Sequence, residues 1–109
     1  MVKIKNNKIS ITRGDTLETT VAIKTGTGED YVPLDGDQVR FALKRHYSDK
    51  TPLIIKTIPC DTFVLRLEAE ETKRLKVGDY VYDIELTTSD GYVDTFIDRA
   101  IFELTEEVY

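Results

Sequence analysis

The chain has 109 residues, with 20 acidic and 15 basic side chains and a net charge of −5. That length fits one domain, expected to span 1–109, and folding hides roughly 65% of the unfolded chain's surface, enough for one core. The acidic balance argues against nucleic acid or an anionic membrane as a partner, because binding phosphates needs a basic surface. The densest basic cluster, Lys44, Arg45 and His46, is too small to reverse that.

A single cysteine, Cys60, rules out an intrachain disulfide, so packing must hold the fold. No apolar run approaches the ~18 residues that a spanning helix needs. Met1 to Asn7 alternates Val and Ile with Lys and Asn and lacks the apolar stretch of a secretion signal. The expected location is therefore the cytoplasm in which the chain is made.

Strand-like alternation dominates. A first strand is predicted around Lys8–Thr12, ended by the turn Arg13-Gly14-Asp15. From Leu17 to Ile23 the odd positions are largely apolar and the even ones largely polar, the period-two pattern of a half-buried strand. Lys24 to Asp30 holds Gly26 and Gly28 and reads as a loop, and Pro33, Asp35, Gly36 and Asp37 mark the next strand entry. Val39, Phe41 and Leu43 then face inward, with Arg40 and Lys44 outward. Ser48 to Pro52 is another break, followed by Phe63, Leu65 and Leu67 alternating with Val64, Arg66 and Glu68.

Glu68 to Leu75 is the one helix-like stretch, about two turns long and too short to stand alone in water. Gly78 is expected to stop it, with Leu75 or Val77 anchoring it on the core. Tyr80, Tyr82, Ile84 and Leu86 make the last clear inward set. Asp90-Gly91 suits the type I′ turn of a tight hairpin joining strands near Leu86 and Val93. Together these predict an all-β chain, an Ig-like antiparallel β-sandwich with one short helical turn near residues 69–75. The Cys–Trp–Cys landmarks of antibody domains are absent, so the label is architectural.

Chemistry-bearing constellations are sparse. Zinc wants several closely spaced Cys or His ligands, and only His46 and Cys60 are present. Asp30, Asp35 and Asp37 lack the twelve-residue calcium-loop spacing and read as acidic turn residues. Cys60 and His46 fall on neighbouring predicted strands, so contact is conceivable, but a nucleophile also needs an orienting group and a pocket. Carboxylate clusters such as Glu68, Glu70 and Glu71 read as a solvated face rather than a glycosidase pair. Gly26-Thr27-Gly28 lacks the Gly-Lys-Ser/Thr of a phosphate loop, and Arg13-Gly14-Asp15 reads as a turn rather than an integrin ligand. No enzyme activity, metal or cofactor is expected. Of six tyrosines, Tyr31, Tyr47, Tyr92 and Tyr109 fall in predicted loops or at the terminus and form the candidate contact surface, because tyrosine pairs apolar area with a hydroxyl.

The order of short motifs adds one resemblance. Ile11-Thr12-Arg13-Gly14-Asp15-Thr16 is followed by Val32-Pro33-Leu34-Asp35-Gly36 and Val39-Arg40-Phe41-Ala42-Leu43-Lys44. Then come Leu75-Lys76-Val77-Gly78-Asp79-Tyr80-Val81-Tyr82-Asp83-Ile84 and Ser89-Asp90-Gly91-Tyr92-Val93-Asp94-Thr95. Over roughly Ile9 to Leu104 this resembles the small β-sandwich domains of phage and prophage structural proteins, including the amino-terminal Ig-like domain of baseplate upper proteins. The resemblance implies a non-enzymatic virion component of a tail, baseplate or head–tail region. Its partners would be other phage structural proteins or copies of itself, with oligomers expected. A carbohydrate- or host-surface-binding sandwich module is the alternative.

Overall fold

A computed structural model describes residues 3–5, 7–23 and 28–107, and the side chains of 7–23 and 28–107. The strands are β1 (Lys3–Lys5), β2 (Lys8–Thr12), β3 (Leu17–Thr20), β4 (Gln38–Lys44), β5 (Ile54–Ile58), β6 (Val64–Leu67), β7 (Gly78–Thr87) and β8 (Val93–Thr105). One short helix, α1 (Ala69–Lys73), joins β6 to β7. A six-stranded sheet runs β1-β2-β8-β7-β4-β5, and β3 pairs with β6 in a two-stranded sheet. The all-β expectation is met. No helix of the described residues is long and apolar enough to cross a membrane.

Period-two alternation decides what is buried. Val39, Phe41 and Leu43 on β4 are fully buried, and Tyr80, Tyr82, Ile84 and Leu86 on β7 nearly so. Ile9 and Ile11 of β2, Phe102 and Leu104 of β8, and Leu17, Leu65 and Leu67 of the small sheet complete one shared core. Phe41 is its aromatic centre, with ring centroids 5.4 Å from Tyr82 and 6.4 Å from Phe102 in tilted contacts. Each fully buried side chain of this kind contributes about 1.5–3 kcal/mol.

Several expectations change in detail. The main sheet is mixed rather than antiparallel, because β2 pairs parallel with β8, placing Ile9 opposite Phe102 and Ile11 opposite Leu104. Ladder bonding of β3 stops at Thr20, yet Val21 and Ile23 stay buried, Val21 through an N–H donated to the Phe63 carbonyl (2.8 Å). Phe63 does not extend β6; it sits at φ +53°, a turn conformation, just before it. The loop expected over 24–30 is described only from Gly28 onward, and 24–27 lie outside the described residues. β1 is an additional strand, and the strand expected before Cys60 is β5, which forms one edge of the main sheet.

The β7–β8 hairpin is not a two-residue type I′ turn. Pairing ends at Thr87–Val93, leaving the five-residue connection Thr88–Tyr92. Gly91 donates its N–H to the Thr88 carbonyl (3.0 Å) and alone takes positive φ, +89°, whereas a type I′ turn would need it at Asp90 as well. Longer hairpin loops of this kind are built around ordinary turns.

α1 ends at Lys73, well before Gly78, which instead opens β7. Its first turn is closed by the Glu71 carboxylate, which accepts the Glu68 backbone N–H (3.0 Å), half of a capping box. Lys56 of β5 reaches the same carboxylate at 2.7 Å and ties the helix to the sheet edge. Burial opposes ionisation of Glu71, but the Lys56 ammonium and the Glu68 N–H prevail and hold its carboxyl below the ordinary value. Leu75 packs on the core as expected and Val77 is exposed, but the fully buried anchor is Thr72.

Candidate contact surface

The tyrosines singled out from the sequence have separate roles. Tyr31 is half-buried beside Phe96, with ring centroids 6.1 Å apart, and donates its hydroxyl to Asp37 Oδ2 at 2.5 Å. The same carboxylate oxygen accepts the Leu34 backbone N–H (2.9 Å) and closes the turn before β4. That hydrogen bond to an anion, with some burial, pushes the Tyr31 phenol up to about 12. Tyr31 is therefore a brace for its loop. Tyr109 lies outside the described residues.

Tyr92 is 67% exposed at the tip of the β7–β8 hairpin. The strand register brings the start of β4, the end of β5 and this hairpin to one end of the molecule. Gly36 lies so close to the hairpin that a Cβ there would stand 2.6 Å from Ser89 Cβ. Val32, Leu34 and Val93, all more than half exposed, belong to the same end. Residues 28–37, 59–63 and 87–94 supply Glu29, Asp30, Asp35, Asp37, Asp61, Asp90 and Asp94 there and not one Lys or Arg.

Tyr47 follows β4 and lies on the outer face of the main sheet, beside Ala42, Lys44, Val81 and Asp83. The residue is 56% exposed, with the Arg99 guanidinium 4.5 Å from its ring centroid. Arg99 adopts φ +52° at an irregularity of β8 and donates its backbone N–H to Asp83 Oδ1 (2.7 Å). The outward residues here are Arg40, Ala42 and Lys44 on β4 and Val81, Asp83 and Glu85 on β7. Ile55 on β5 is 60% exposed and flanks them, and Leu53 and Ile101 are also exposed.

Arg13 is engaged in structure. It donates from Nε to the Leu75 carbonyl (2.8 Å), from Nη2 to the Lys73 carbonyl (2.6 Å) and from Nη1 to Glu107 Oε1 (2.6 Å). The Arg13-Gly14-Asp15 tripeptide thus clamps the carboxyl end of α1, where carbonyls lack helical partners. Sequence reasoning had the turn but not the clamp, since nothing local links Arg13 to Leu75.

Cys60 and His46 are not brought together. Cys60 lies beyond the end of β5, with Sγ 3.5 Å from the Asp37 carbonyl, whereas His46 follows β4 at the opposite end of the β4–β5 pair. Burial, with Asp37 nearby, pushes the Cys60 thiol up, which disfavours the reactive thiolate. Among the described residues, no group of three or more His, Cys, Asp or Glu is placed to hold a metal ion.

Compared with protein-family models, curated proteins and solved structures, the chain matches none. Its function must therefore be read from its own surfaces. A crevice of about 160 Å³ opens between the sheets, lined by Ile9, Val21, Leu65, Ile84 and Ile97 among others. The one ionisable side chain among the described lining residues, Tyr82, donates its hydroxyl to the Asn7 carbonyl. Two wider hollows open to solvent, one of about 440 Å³ between Arg13, residues 74–77, Glu106 and Glu107, and one of about 250 Å³ on the outer sheet face among Arg40, Ala42, Lys44, Ile55, Asp83 and Glu85. The exposed apolar side chains gather at the acid-rimmed end at Tyr92 and on the charged sheet face at Tyr47.

Proposed function

We propose that the chain is a non-enzymatic structural domain of a phage or prophage particle, an Ig-like sandwich working through protein–protein contacts. The order β5-β4-β7-β8 corresponds to the C′-C-F-G order of a variable-type Ig sheet, and β3 with β6 to the B–E pair facing it. Supporting the assignment, each motif that carries the phage resemblance occupies a frame position. Arg13-Gly14-Asp15 is the clamp, Pro33–Asp37 the turn closed by Asp37, Val39–Leu43 and Tyr80–Ile84 the core strands, and Asp90-Gly91 the exposed hairpin.

The observation that carries the contact role is the exposure of large apolar side chains in two places. Val32 (76%), Leu34 (69%), Tyr92 and Val93 are at one end, and Leu53, Ile55 and Tyr47 are on or beside the sheet face. Exposed apolar residues gathered in this way mark interaction sites. The test is proteomic. Particles induced from the strain encoding the chain and purified by density gradient should contain it at a fixed ratio to the major tail protein. Its absence from intact, infectious particles would refute the assignment.

The exposed ring of Tyr92 favours one second reading, a carbohydrate-binding module. A glycan-array signal lost in Tyr92→Ala would support that reading, and an array without hits would remove it.

A further inference from the structure

We propose that the outer face of β4 and β7 is an isologous interface at which two copies of this chain form a dimer. The strand register carries this. Arg40 of β4 pairs with Glu85 of β7, Ala42 with Asp83, and Lys44 with Val81. Among the described residues, neither Arg40, Lys44 nor Glu85 makes an ion pair, and Arg40 donates only to the Gln38 side chain (2.9 Å). One strand of the face is thus basic and its neighbour acidic, with opposite charges on the same rung.

A two-fold axis parallel to the strands, running between β4 and β7, turns one such face onto another. It lays β4 of one copy over β7 of the other and keeps each rung at its own height. Arg40 then opposes Glu85 of the second copy, and the pair occurs twice, as an isologous interface requires. Ala42 opposes Asp83 and leaves it room. Lys44 opposes Val81, with Asp83 one step away on the same face. Ile101 of β8 pairs with Val81, so it shares the Lys44 rung, and Leu53 just precedes β5 at that level. The axis therefore also brings exposed Leu53 towards exposed Ile101. Tyr47, lying between the two central strands, meets its own counterpart near the axis.

Turning the face about an axis perpendicular to the strands would instead stack β4 on β4, base against base. The charge pattern selects the first arrangement. Four strands about 4.8 Å apart, over the seven residues of β4, give roughly 450 Å² of face per copy. The two copies together bury about 900 Å², below the ~1,200 Å² of stable interfaces, so the dimer is weak and reversible. The proposal rests on the register and on the side chains it places on this face, and does not depend on the particle assignment.

Sedimentation equilibrium of the wild-type chain, up to on the order of 0.5 mM because the interface is small, should show a monomer–dimer equilibrium that weakens with salt. Arg40→Glu sets acid against acid twice, and Glu85→Arg sets base against base twice. Each alone should raise the dissociation constant by about tenfold or more. Mixing the two variants restores both attractive pairs, so the mixture should form a heterodimer at least as tight as the wild type. Lys73→Glu, with the same change in net charge on α1, should leave the equilibrium unchanged. Both interface positions are on the solvent side, and far-UV circular dichroism confirms that the variants are folded. A wild type monomeric throughout, single reversals without effect, or a mixture no tighter than its components would each overturn the interface. None of those outcomes bears on whether the chain is found in particles.

Discussion

Replacing Thr72 by valine removes one oxygen and almost no volume from a site with no solvent exposure. That oxygen is the hub between α1 and the Arg13-Gly14-Asp15 turn. It accepts the Gly14 N–H at 3.0 Å and lies 3.0 Å from both the Asp15 and Ala69 carbonyls, to one of which it donates. Valine keeps the packing but strands the Gly14 N–H and one carbonyl. Leaving buried polar groups unpaired costs about 1–3 kcal/mol. For 109 residues the entropy of unfolding is about 0.23 kcal/mol/K, so the melting temperature should fall by about 4–13 °C. Thr72→Ser keeps the hydroxyl and loses one methyl, a cost of about 0.8 kcal/mol plus a small cavity contribution. Differential scanning calorimetry should therefore rank wild type above serine and serine above valine. A valine variant as stable as the wild type, or a serine variant worse than valine, would sink the hub.

Three further outcomes follow from the same geometry. Gly36→Ala should lose about 2 kcal/mol or more in urea denaturation, since it combines a φ of +87° with the close approach to Ser89. Gly91→Ala, at φ +89° with open space around it, should lose only the backbone share of about 1 kcal/mol. Equal losses at the two sites would show that the loops do not meet. Absorbance at 295 nm should reveal phenols titrating near 12, from Tyr31 through its bond to Asp37 and from Tyr82 through burial. Because those folded values lie above the unfolded one, the associated stability is whole below pH 10 and is lost as pH rises towards 12. Asp37→Asn should remove the Tyr31 share, and an unchanged titration curve would contradict the bond. Cys60 should react with a thiol reagent at pH 8 more slowly than free cysteine, and faster once unfolded. Equal rates in the folded and unfolded chain would be inconsistent with its burial.

Alternation alone foretold most of the core. The inward sets on β4 and β7 are buried as the period-two pattern requires, because a half-buried strand has only two faces to choose between. β5 was harder to see. Ile54, Ile55 and Ile58 do not alternate cleanly, and Ile55 points outward at a sheet edge. Asp90-Gly91 located the hairpin but not its length, which the Thr87–Val93 pair sets through its position in the sheet. The parallel β2–β8 pairing left no local trace, since strand direction depends on connections between distant segments. The contact surface divided similarly. Tyr92 was legible as an exposed loop residue, whereas Tyr31 is taken up by Asp37, six positions on. The facing of Arg40 and Glu85 across β4 and β7 needed the register that only the folded sheet supplies.

The parallel strand pair has a consequence for synthesis. Ser10 of β2 and Glu103 of β8 are joined by a 2.7 Å hydrogen bond across 93 positions. At roughly 5–20 residues per second, β2 waits about 5–19 s on the ribosome for its partner. Meanwhile Ile9 has only the three-residue β1 beside it in the sheet, and Ile11 lies beyond the end of that pairing. The nascent chain therefore carries an unfinished sheet edge while the intervening segment is made, and closing it is a non-local step of the kind that slows folding. Overexpression that outpaces this closure should send the chain into aggregates that pair through β2.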